Sequence, residues 1–142
     1  MTKFFIEKSI IIQASTAEVW KVLTTPDLVN TWSREFGDGI HAEADWQLGG
    51  ELLWKDKDEN PLTRGLIVSW EPGTLLRIAF EDVLSRVSPL LPGVYSETYR
   101  LLDDNGNTFL SVYAGKLHLD GRDHHAPLWD KALAKIKELA KN

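Results

Sequence analysis

The stretch 121–142, GRDHHAPLWDKALAKIKELAKN, decides how the rest of the chain must fold. Trp129, Ala132, Leu133, Ile136, Leu139 and Ala140 recur at the i, i+3, i+4, i+7 spacing of one helical face, while Asp130, Lys131, Lys135, Lys137, Glu138 and Lys141 take the other. The spacing predicts an amphipathic helix from about His125 to Ala140, roughly 25 Å long. Its apolar stripe needs a cover. Most of the preceding chain reads as strand, so the expected architecture is a long helix lying on a curved sheet.

Working outward from that helix, turn signals punctuate the sequence at the rhythm of consecutive antiparallel strands. Thr108 to Leu117 and Tyr95 to Leu102 flank Asn105-Gly106, a strong hairpin signal. Leu75 to Phe80, Leu62 to Trp70, Glu51 to Asp56 and Ile40 to Trp46 read as further strands, with Gly49-Gly50 as a bend or bulge. Glu81 to Gly93 fits no regular element and is longer and more apolar than a hairpin loop requires, which suggests a lid. Phe4 to Gln13 is a first strand rich in β-branched and aromatic residues. Ser15-Thr16-Ala17-Glu18 has the form of a capping box opening a helix that stops before Pro26, and Pro26 starts a second short helix to about Trp32. The whole is an α+β chain, read as a single domain over 1–142.

Composition narrows the function classes. Sixteen basic and twenty-one acidic residues give a formal charge of −5 with the basic groups scattered, which argues against nucleic acid as a partner. Cysteine is absent, excluding disulfides and thiolate chemistry. The N-terminal residues lack a cleavable leader pattern and no apolar run approaches a membrane span, so the expectation is a cytoplasmic protein without integral membrane association. Four histidines occur, but neither the adjacent pair His124-His125 nor His41 and His118 have metal-ligand spacing, and no metal or cofactor is expected. His118 with Asp120 could form a base with its orienter, yet no nucleophile context accompanies it.

The six tryptophans are the compositional oddity. Strand alternation places Leu52 with Trp54, Leu76 with Ile78 and Phe80, Tyr99 with Leu101, and Leu110 with Val112 and Ala114 on the face that meets the closing helix. Glu97 falls by the same alternation beside Tyr95 and Tyr99. Because ionised carboxylates are seldom buried, a place at the open end or outer face of the sheet is the default for Glu97, and a cavity-facing carboxylate is the functional alternative. A curved sheet under one helix leaves a gap that large side chains or a ligand must fill. Trp32, Phe36, Trp54, Phe80, Tyr95, Glu97, Tyr99, Val112, Trp129 and Leu133 are therefore the candidate lining of a ligand cavity of about a few hundred Å³. Trp129 is the residue that separates pocket wall from plain core.

The order of elements resembles the START-like or SRPBCC superfamily with the helix-grip fold. Ala14 through Trp20, Thr25-Pro26-Asp27-Leu28 through Trp32, Gly49-Gly50, Gly65 through Pro72, Asn105 through Thr108 and Trp129 through Leu139 carry the resemblance. Within the superfamily the chain is most similar to bacterial proteins related to the activator of a heat-shock chaperone's ATPase. The resemblance implies a curved antiparallel sheet of about six or seven strands, two short helices after the first strand, and the long last helix on the concave face. It also implies an elongated apolar cavity, in which relatives bind lipids, sterols, polyketides or hormones. It hands over no catalytic motif. Ala114 stands where many relatives carry a polar residue late in the last strand, and the Glu81 to Gly93 segment is longer than usual. Three readings stay open: a non-catalytic binder of a small hydrophobic or aromatic molecule, which leads; a cyclase or aromatase using Glu97 with Tyr95 or Tyr99; and a chaperone-associated module with a protein partner. Oligomeric state is not legible.

Overall fold

The computed structural model describes residues 4–81, 95–117 and 119–141, and of residues 81, 116, 117 and 119–121 the backbone alone. Seven strands form one antiparallel sheet: β1 (Phe4–Ile12), β2 (His41–Ala44), β3 (Glu51–Lys55), β4 (Pro61–Glu71), β5 (Leu75–Glu81), β6 (Tyr95–Asp104) and β7 (Asn107–Leu117). Their order is β1-β7-β6-β5-β4-β3-β2, so β2 to β7 form a meander and β1 closes it by pairing with β7. Between β1 and β2 lie α1 (Thr16–Thr24), α2 (Pro26–Trp32) and a 3-10 turn (Ser33–Phe36). The last helix, α3 (Leu119–Ala140), packs on β1, α1 and the 3-10 turn. The expected α+β helix-grip architecture is the observed one.

Local chemistry explains the punctuation. Ser15 Oγ accepts the Glu18 N–H at 3.2 Å, the expected cap of α1. The other half of the capping box differs: the Glu18 carboxylate accepts from the Ser15 hydroxyl at 3.1 Å and leaves the Ser15 N–H aside. Pro26 then begins α2 after Thr25, as its fixed φ allows. At Gly49-Gly50 the chain bends before β3. Gly49 has φ 81°, and a Cβ on Gly50 would lie 1.8 Å from the Asp45 carbonyl oxygen, so only glycine permits the approach. The bend lets the Gly50 carbonyl accept the Ile67 N–H at 2.9 Å.

The closing helix is longer than its periodicity announces. It runs 22 residues from Leu119, with Pro127 inside it, whereas the apolar stripe predicts a start near His125. The first turns carry no apolar repeat, and the proline looks like a helix start because its missing N–H is harmless only there. From Trp129 onward the expectation holds: Trp129, Ala132, Leu133, Ile136 and Ala140 are buried. Their cover is the inner face of the sheet, where Leu52, Leu76, Ile78, Phe80, Tyr99, Leu101, Leu110, Val112 and Ala114 are each 2 % exposed or less. Lys8, at the rim of β1, pairs with Asp130 of α3 at 3.2 Å.

Candidate functional site

The third strand of the sheet, β6, sets one carboxylate into this inner face. Glu97 lies between Ala114 on β7 and Ile78 on β5, in a row that continues to Ile6 and Ile67. Along its own strand Tyr95 and Tyr99 point to the same face. The Tyr95 hydroxyl donates to Glu97 Oε2 at 2.9 Å and the Tyr99 hydroxyl donates to Oε1 at 2.9 Å. Of the two default placements of Glu97, the open end of the sheet and its outer face, the outer face is overturned. The cost of desolvation is offset locally, because two phenols from the same strand give each carboxylate oxygen a donor. The small Ala114 beside it leaves the space a larger residue would take.

Electrostatics follow from the setting. The residue keeps some exposure, but its carboxyl group lies deep among side chains, and desolvation raises its pKa above the ordinary value although both phenolic hydrogen bonds pull the other way. Burial, with the Glu97 charge adding to it, pushes the Tyr95 and Tyr99 phenols well above their ordinary range, so both stay protonated donors.

Aromatic rings extend from this triad in both directions. Phe80 lies 5.6 Å from Tyr95; Tyr99 meets Trp129 at 6.1 Å and Trp32 at 6.4 Å; and Trp129 stands edge-on to Phe36 at 4.8 Å. Seven of the ten candidate residues, Trp32, Phe36, Phe80, Tyr95, Glu97, Tyr99 and Trp129, therefore form one connected chain of contacts. Val112 borders it as the cross-strand partner of Tyr99, and Leu133 lies one helical turn beyond Trp129 and is buried. Trp54 is half-buried on β3 and no ring contact among the described residues joins it to the cluster. Trp32 also holds two helices together. Its indole N–H donates to the Val22 carbonyl at 3.0 Å, which ties α2 to the end of α1. The lid expected over Glu81 to Gly93 lies, from residue 82 on, outside the described residues.

His41, expected as a plain surface histidine, has two partners. His41 Nδ1 donates to the Gly39 carbonyl at 2.9 Å while Nε2 meets Glu59 Oε2 at 2.6 Å. The β2–β3 hairpin and the following turn bring these together, with Glu59 at φ 67°. Glu43 completes a group whose ligand atoms lie within 4.8 Å of one another, but Lys55 already neutralises Glu43 at 2.9 Å. The Gly39 carbonyl first, then Glu59, raises the His41 pKa above 6.5. Its stabilising effect is therefore complete below about 6.5 and is lost as pH rises through the raised folded value. Glu59→Gln is expected to lower the His41 pKa, read from the imidazole proton shifts across pH; an unchanged titration would show that Glu59 does not hold the ring.

Solved structures of other proteins share this fold. Protein MLL2253 from Mesorhizobium loti has a TM-score of 0.80 at 15% identity, covering 97% of this chain and 97% of its own. The Aha1 dimer from Colwellia psychrerythraea is similar with a TM-score of 0.73 at 15% identity, over 95% of this chain and 94% of that one. CalU16 from Micromonospora echinospora has a TM-score of 0.71 at 16% identity, over 98% of this chain and 85% of that one. At these identities the likeness is one of fold. No curated protein matches the sequence. Among the described residues no helix is long and apolar enough to cross a membrane. The family described as Activator of Hsp90 ATPase homolog 1-like protein matches residues 13–141, nearly the whole chain, and the chain belongs to that family.

Proposed function

We propose that this protein binds a small hydrophobic or aromatic molecule between the inner face of the sheet and α3, without transforming it, and that Tyr95, Glu97 and Tyr99 anchor the ligand's polar group. The observation that carries the reading is the triad itself. A plain core gains nothing from a carboxylate that must be desolvated, whereas an apolar site uses a few convergent polar groups to orient its ligand. Each Glu97 oxygen accepts one phenol and retains a second lone-pair direction for a ligand donor. The surrounding rings, Trp129, Phe36 and Phe80 among them, suit flat apolar ligands.

The cyclase or aromatase reading uses the same carboxyl group as acid or base, and its raised pKa would suit that work. It needs a reacting group that the described residues do not single out, so binding leads. Family membership also supports a protein-interaction role, since the family's description names an ATPase activator.

Native mass spectrometry of protein purified without added ligand, followed by a thermal-shift screen of apolar aromatic compounds, tests the proposal. A retained small molecule, or a raised melting temperature lost in Glu97→Gln, is the expected result. No retained mass and no compound that shifts melting would overturn it.

A further inference from the structure

The outer face of the sheet carries a concavity, of about 430 Å³, on the side away from α3. Register explains why a sheet surface dips there. Thr98, Arg77 and Tyr113 share one cross-strand row, with Thr98 on β6 between the other two. Arg100 pairs with Ser111 in the next outward row and Ser96 with Gly115 in the previous one. Small residues thus floor the middle of the face, and the long side chains Arg77, Arg100 and Tyr113 rise around them.

Two guanidinium groups meet at this hollow. Arg77 on β5 is opposite Thr98, and Arg100 follows Thr98 by two residues on β6, so the arginines are diagonal neighbours, with main chains about 7–8 Å apart. The four hydroxyls of Ser69, Ser96, Thr98 and Ser111 in the lining add donors without adding negative charge. Glu7 is the one carboxylate in the lining, and it faces Tyr113 across the β1–β7 pair. In a chain of net charge −5, a concave site with two arginines and one carboxylate stands apart from its surroundings.

We propose that this outer hollow is a binding site for a small organic oxyanion, a carboxylate or a phosphate monoester, clamped between Arg77 and Arg100. The planar guanidinium fork matches both anions, and the hydroxyl floor hydrogen-bonds the remainder of the molecule. Glu7 acts as the discriminating element. Its charge opposes the anion and favours ligands that present a hydroxyl or amine donor on that side. The side chains that would hold the anion, Arg77, Thr98, Arg100 and Tyr113, are independent of the inner face, because strand alternation points them away from Glu97; Val112, an inner-face residue, also borders the hollow.

The test is an NMR amide titration of the full chain, at fixed ionic strength, with glucose 6-phosphate, with citrate, and with glucose as the uncharged control. Saturable shifts centred on residues 77, 98, 100 and 113 are expected with at least one of the two acids. Arg77→Gln and Arg100→Gln, both at exposed positions, should each weaken binding about tenfold, and Glu7→Gln should tighten it several-fold. A response to one acid alone assigns the anion class. Shifts that fail to saturate, that glucose reproduces, or that survive Arg77→Gln and Arg100→Gln together would overturn the site.

Discussion

Trp129→Ala is expected to lower the unfolding free energy by about 3–5 kcal/mol, the range for truncating a buried tryptophan. The residue is 2 % exposed and is held on two sides, edge-on by Phe36 at 4.8 Å and tilted against Tyr99 at 6.1 Å. Each such pair adds about 0.5–1.5 kcal/mol beyond the buried area. The loss is concentrated because α3 has few alternative anchors at this end. Its next buried residues, Ala132 and Leu133, lie a turn on. Trp129→Phe should retain most of the stability, since the Phe36 contact needs only a ring. Urea denaturation of the three proteins measures the series. A loss below about 1 kcal/mol in Trp129→Ala would mean that the indole rests loosely against an open pocket and not as core. The alanine variant also gains a site of its own: an apolar cavity left by a buried ring takes up apolar molecules, so indole should raise its melting temperature by more than it raises that of the parent protein.

That tryptophan shows how far the sequence was legible. Periodicity placed Trp129 on the inner stripe of α3, and alternation placed Tyr95, Glu97 and Tyr99 on one face of β6, because both signals depend only on positions a few residues apart. The ring contacts that join them come from packing between elements distant in sequence, which alternation cannot rank. Trp54 shares the pattern of Leu52 and yet ends half-buried beside the short edge strand β2. The start of α3 escaped because its first turns have no apolar repeat and Pro127 imitates a beginning. For Glu97 a general rule about carboxylates favours the open end or outer face, while its alternation with Tyr95 and Tyr99 puts it in the candidate lining; the specific information, a tyrosine two residues away on either side, is present in the sequence as Y-S-E-T-Y. Arg77 and Arg100 escaped for another reason. On an outward face arginine looks like ordinary solvated charge, and only the β5–β6 register makes the two neighbours.

The Y-S-E-T-Y arrangement makes the sharpest prediction about pH. Burial raises the Glu97 pKa in the folded protein above the ordinary 4.5, so folding favours the protonated carboxyl. The sign is opposite to that of a salt-bridged acid. Folded protein binds the proton more tightly than unfolded protein, so stability falls as pH rises from about 4.5 through the raised folded value and is level above it. Glu97→Gln removes this titration. Measured against the parent protein, its unfolding free energy should therefore improve across that window, because the amide avoids the cost of a buried charge. The amide oxygen can still accept one phenol while its NH₂ group donates to the other phenolic oxygen. Glu97→Ala behaves differently at every pH. It deprives the Tyr95 and Tyr99 hydroxyls of their acceptor, and each buried unsatisfied donor costs about 1–3 kcal/mol, so the combined loss against the parent protein should be about 2–6 kcal/mol below the Glu97 window and smaller above it, where the parent carries its own buried charge. Urea titrations at several pH values separate these outcomes. Parallel pH profiles for the parent protein and Glu97→Gln would mean that the carboxylate is solvated after all, and with it would go the argument that the triad is a buried polar anchor. Divergence in the stated direction, with the alanine variant well below both, would fix the carboxyl group in its desolvated place between the two phenols.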